Sequence, residues 1–151
     1  MRLIGRNPRR FTKAESFRLF IEGVRSLQLY DKEADNEEPN RYSLDKFLKE
    51  SEECFRKCVD DFPNDMLPLY YFGIVLTLRG QVEQAHEIRE TLLGAPTKAV
   101  PDSDTFFHRS AKVFEKVAVR ASGDLREYAK YNQALALAKT GPIRRPALQT
   151  P

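Results

Sequence analysis

The chain contains no run of eighteen or more apolar residues, so it offers no segment that could span a bilayer as a helix. It has only two cysteines and two histidines in 151 residues. No Cys-x2-Cys pair, His-Glu-x2-His, glycine-rich phosphate loop or nucleophile elbow occurs, which removes the sequence signatures of zinc ribbons, metalloproteases, nucleotide-binding loops and serine hydrolases. Sustained alternation of apolar and polar residues is also missing, and no sheet is expected. Gly5, Asn7 and Pro8 break the first ten residues, and Arg18 and Glu22 interrupt the apolar patch at 17–24. Neither stretch reads as a secretory leader, so a cytoplasmic location is expected.

The scarce reactive residues do not assemble. Cys54 and Cys58 share a helical face at a spacing of four. As zinc ligands completed by His86 and His108 they would match no standard metal spacing, and they read as small buried apolar side chains. His86 lies among Glu83, Glu87 and Glu90, and His108 beside Arg109, contexts of structural histidines rather than general bases. Glu50, Glu52, Glu53, Asp60 and Asp61 form acidic clusters that read as a solvated helix face. No catalytic residue, metal ligand, cofactor or small-molecule substrate is expected, and the chain is read as a non-enzyme.

What is present is an ordinary globular composition, 41% hydrophobic and 31% charged, at a length that buries one core. The net charge is +3, but Arg2, Arg6, Arg9, Arg10, Lys13, Arg144 and Arg145 place seven positive charges at the ends, leaving −4 for residues 14–143. A slightly acidic body therefore carries basic arms.

Apolar spacing predicts about six helices. The first runs from a cap at Thr12 to about Leu29 along Phe17, Phe20, Ile21, Val24 and Leu27. Residues 31–42 are polar, contain Pro39, and read as an inserted loop. A second helix starts after Ser43 and ends at Pro63, with Leu44, Phe47, Leu48, Cys54, Phe55, Cys58, Val59 and Phe62 on its buried side. A third runs from about Met66 to Gly80, a fourth from Gln81 to about Leu93, a fifth from about Ser103 to Ala121 and a sixth from Gly123 to Lys139. The tail, 142–151, is proline-rich and reads as a linker.

Leu69-x2-Phe72-Gly73-x2-Leu76, followed by Gly80 and Ala85, resembles a tetratricopeptide repeat, with Gly80 at the turn between its two helices and Arg89 where the repeat has phenylalanine. The central copy is Met66 to Pro96. Degenerate copies flank it: Gly23 with Phe55, Cys58 and Pro63 upstream, carrying an insertion of about 16 residues relative to the usual repeat, and Tyr131-Asn132-Gln133-Ala134 with Leu137 and Gly141 downstream. The fifth helix reads as an extra helix or as a second-helix equivalent. The resemblance implies an all-α domain over 1–141, with a basic arm at 1–11, built of antiparallel helical hairpins stacked as a short right-handed solenoid.

It also implies a protein-binding scaffold or adaptor whose first helices line a groove. The groove residues it implies are Phe17, Phe20, Val24 and Leu27 on the first helix and Leu67, Tyr70, Ile74, Thr77 and Leu78 on the third. These are mostly aromatic and aliphatic, which suits an apolar partner segment and not the carboxylate end of a chaperone peptide; the alternative is that the chain's own helices cover them. The last helix carries Leu125, Tyr128, Tyr131 and Leu135 around much of its surface. Either further helices of a longer chain or another subunit would cover them. The other reading is a nucleic-acid-associated adaptor that contacts phosphate through Arg6, Arg9, Arg10 and Lys13. Against it, no basic face of the body looks wide enough for a sugar-phosphate track.

Overall fold

The computed structural model describes residues 13–142. They form five helices, α1 (Lys13–Ala34), α2 (Arg41–Asp61), α3 (Met66–Leu92), α4 (Ser103–Arg120) and α5 (Gly123–Ala138), with no strand among the described residues. The all-α expectation holds and the number of helices differs. The expected third and fourth helices are a single helix of 27 residues, about 40 Å long at 1.5 Å per residue.

Local chemistry sets the ends. α1 continues past Leu29 because Tyr30 and Ala34 extend its apolar stripe into the core. The Glu33 carboxylate accepts hydrogen bonds from Asn40 N at 2.9 Å and Asn36 Nδ2 at 3.1 Å. Those bonds, the backbone one foremost, hold the Glu33 carboxyl below the usual range. Asn40 in turn caps α2 by accepting from Ser43 N at 3.1 Å. The expected loop at 31–42 is thus a clasped connection of residues 35–40. Asp65 caps α3, Pro68 falls in its first turn where no intrahelical donor is lost, and Gly94 at φ +105° closes it.

Consecutive helices run antiparallel. Ser16 near the start of α1 meets Cys58 near the end of α2, and Gly80 in α3 meets Phe107 early in α4 while Gly73 meets Phe114 later in it. Two cores result, and α3 belongs to both. Leu27, Tyr30, Leu48, Phe55 and Val75 centre the first, between α1, α2 and α3. Leu69, Phe114, Val117, Ala118 and Ala129 centre the second, between α3, α4 and α5.

The α1/α2 and α3/α4 crossings are built around glycines. A Cβ at Gly23 would lie 2.8 Å from the Phe55 ring, at Gly73 2.8 Å from Phe114, and at Gly80 2.6 Å from Phe107. Four residues before its phenylalanine, a buried serine donates to the glycine carbonyl at two of these seats: Ser51 to Gly23 O at 2.8 Å and Ser110 to Gly73 O at 2.9 Å. The hairpins α1/α2 and α3/α4 are therefore locked by the same device, Gly on one helix and Ser-x3-Phe on the other.

That device corrects the reading of the central copy. Gly80 is not a turn, because its missing Cβ admits Phe107; the burial of that ring offsets the cost of about 1 kcal/mol that a mid-helix glycine carries. The phenylalanine that packs against Gly73 is Phe114 on α4. Ala85, expected to pack, is exposed. The helix that packs back on the N-terminal half of α3 is α4, and not the segment that follows Gly80.

Gly73→Leu is expected to lower stability by about 1–3 kcal/mol, since the Phe114 ring must leave its seat. Urea denaturation followed by circular dichroism measures this, and an unchanged midpoint would show that the seat is not tight.

Candidate protein-binding surface

The centre of the molecule is an aromatic series. Phe20 of α1 contacts Phe55 and Tyr71 at 5.6 and 5.3 Å, Tyr71 contacts Tyr70 at 5.9 Å, and Tyr70 contacts Phe114 at 5.5 Å, all between ring centroids. The amide of Asn132 on α5 donates to the Tyr70 hydroxyl oxygen at 2.9 Å and to Tyr128 O at 2.9 Å. α1, α3 and α5 are thereby tied together. Burial pushes the Tyr70 hydroxyl above its ordinary pKa, against the pull of the Asn132 hydrogen bond, so it stays protonated at neutral pH.

This arrangement divides the expected groove. Phe17, Phe20 and Leu67 come together with Phe62 and Lys13 around a cleft of about 150 Å³. Lys13 lies over the Phe62 ring, 5.2 Å from its centroid. Val24 and Leu78 instead flank the first core, where Leu27 is buried, while Tyr70 and Ile74 flank the second. Thr77 is bonded to Ser110 on α4. The reason is coverage: α4 and α5 pack on the face of α3 that would otherwise line a groove.

The last helix separates cleanly into two sides. Leu125, Ala129, Asn132 and Ala136 turn inward, so Leu125 belongs to the core and not to the contact surface. Tyr128, Tyr131 and Leu135 recur at spacings of three and four on the other side, 57%, 68% and 37% exposed. Phe17 at 66% and Leu67 at 45% are also exposed, as are Ile21 on α1 and Leu137 on α5. A further exposed apolar group, Ile88, Leu92, Leu93 and Val100, lies at the far end of α3 and in the connection that follows.

Arg6, Arg9 and Arg10 lie outside the described residues, as does all of the tail after Pro142. Both thiols are free, and burial pushes each above the ordinary cysteine pKa, which disfavours the nucleophilic thiolate. Cys58 donates to Ser16 O at 3.3 Å. His108 is exposed, and His86 faces Glu90 at 3.8 Å.

Sequence reasoning missed one polar cluster. Glu83, Glu87 and Asp102 bring carboxylate oxygens within 4.8 Å of one another beside a cavity of about 410 Å³. Each already has a donor: Arg41 to Glu83 at 3.3 Å, Ser103 N to Glu87 at 3.2 Å and Lys98 to Asp102 at 3.2 Å. The cluster fastens the start of α4 and the connection before it to the end of α3. It was illegible because its members are 19 residues apart in sequence and meet only when α3 and α4 fold together.

No helix among the described residues is long and apolar enough to cross a membrane. Compared with known proteins, the chain matches no family model, no curated protein and no solved structure.

Proposed function

We propose that the chain is a non-catalytic protein-interaction module, an adaptor built of tetratricopeptide-like hairpins, that binds an apolar helical segment of a protein partner along the outer stripe of α5. The observation that carries this reading is the exposure of Tyr128, Tyr131 and Leu135 on one side of a helix whose other side is fully engaged. Tyrosines supply much contact area at low entropic cost and concentrate at the energetic centres of interfaces. A spacing of three and four is what an amphipathic partner helix meets side by side. The reading involves no cofactor or small-molecule substrate, and it places the protein in the cytoplasm, where thiols such as Cys54 and Cys58 stay reduced.

The triple substitution Tyr128→Ala, Tyr131→Ala, Leu135→Ala removes exposed groups only and is expected to leave the melting curve nearly unchanged. Truncating such anchors costs about 1–4 kcal/mol of binding, on the order of tenfold to a thousandfold in affinity. Affinity capture with quantitative mass spectrometry reads the result: a stoichiometric protein lost by the triple variant and kept by Ile88→Ala/Leu92→Ala supports the α5 stripe. The reverse pattern would move the binding surface to the end of α3.

A further inference from the structure

The charge of this molecule is unevenly divided. Residues 14–102 carry 11 lysines and arginines against 18 acids, a net −7, whereas residues 103–142, the α4/α5 pair, carry seven against four, a net +3. One of those four, Asp104, is buried and accepts from Gly141 N at 3.1 Å, so the exposed side of the pair is more basic still.

Within this pair, Arg109, Lys112, Lys116 and Arg120 follow one another at spacings of three, four and four along the outer side of α4, opposite Phe107, Ser110, Ala111, Phe114, Val117 and Ala118, and all four are exposed. Spacings of three and four make a continuous ridge on a helix, here about 16 Å long. Arg126 and Lys130 are exposed on the neighbouring helix.

The ridge differs from the charged surface of α2. On α2 three of the five cations are paired within a turn, Arg41 with Asp45, Arg56 with Glu52 and Glu53, and Lys57 with Glu53. On α4 none of the four cations has an ion pair or a side-chain hydrogen bond among the described residues. Four unneutralised cations on one ridge repel one another, a cost that a mixed surface avoids. A polyanion laid along the ridge relieves it.

We propose that the outer face of α4 binds the phosphate backbone of a nucleic-acid duplex without reading its sequence. Duplex DNA carries one negative charge per about 1.7 Å of helix axis, a dense line of charge for a ridge of about 16 Å. A duplex is favoured over a single strand because its two strands double the phosphate density along the axis. α4 contains no asparagine or glutamine to pair with adenine edges, and its four cations are assigned to phosphates. This surface is distinct from the α5 stripe and from the N-terminal arm, and it supplies the basic face that the sequence alone concealed.

The test uses the full chain and fluorescence anisotropy with two unrelated 20-base-pair DNA duplexes, a 20-nucleotide single strand, phosphatidylserine vesicles and polyglutamate. Expected are equal binding of both duplexes at 50 mM salt and a slope of log affinity against log salt of about −4, at about −0.9 per phosphate neutralised. Lys112→Glu/Lys116→Glu should weaken duplex binding at least tenfold and flatten the slope by about two, whereas Lys112→Arg/Lys116→Arg keeps both. Arg109→Gln/Arg120→Gln, which introduces no new charge, should weaken binding in the same direction. The proposal is overturned by no duplex binding at 50 mM salt, by tighter binding to the single strand, the vesicles or polyglutamate, or by loss confined to an Arg6→Ala/Arg9→Ala/Arg10→Ala variant.

Discussion

Arg79→Ala is expected to destabilise the protein by about 3 kcal/mol, because it strands a carboxylate. Glu52 is buried in α2, and Arg79 Nη1 of α3 lies 2.6 Å from its Oε1. The same guanidinium stacks 4.7 Å over the ring of Phe106 on α4, so one side chain joins three helices. The figure sits at the lower end of the range for broken buried pairs. Arg79 retains 22% side-chain exposure, and Arg56 remains 3.9 Å from Glu52 as a weaker partner. Urea denaturation measures the loss. Adding Glu52→Gln should recover part of it, since no charge is then left without its partner. A loss well under 1 kcal/mol would mean that the pair behaves as an exposed one.

Gln81→Pro should cost about 3 kcal/mol or more and reduce the helical signal, because position 81 lies in the middle of α3. Proline there removes one hydrogen bond of the ladder and crowds the carbonyl of Thr77. The variant separates two architectures sharply. If a turn stood at Gly80, residue 81 would begin a new helix, the position proline tolerates best. A Gln81→Pro protein as stable as the parent would therefore reinstate the turn and split α3 in two.

The contrast between those outcomes shows where the sequence could be read and where it could not. Apolar spacing at three and four located the buried faces of α2 and α4, and Gly73 was legible as a close contact. The partner of that contact was not. Gly80 and Gln81 carry the local signature of a turn, and nothing nearby reveals that Phe107, 27 residues on, fills the space above Gly80. A subtler signal did exist. Ser51-x3-Phe55-x2-Cys58 and Ser110-x3-Phe114-x2-Val117 are spaced alike, and each faces a glycine on the preceding helix.

The surfaces follow the same division. Tyr128, Tyr131 and Leu135 were recognisable as excess apolar area on the last helix, and they are exposed. Leu125, named with them, lies on the inward side of that helix. Tyr70 and Ile74 could be placed off the main stripe of α3 by spacing, but their coverage by α4 and α5 is a tertiary fact. The basic ridge escaped notice because overall charge averages it against the acids of residues 14–102.

The position of α3 in both cores has a mechanical consequence. α1 and α2 hold one flank of this helix and α4 and α5 hold the other, so neither half can loosen without exposing apolar surface on the helix that supports its neighbour. A load applied at the tyrosines of α5 is carried to α1 through Asn132, Tyr70, Tyr71 and Phe20, a path of direct contacts with no flexible connection in it. The described residues thus form one stiff unit and not two hinged halves.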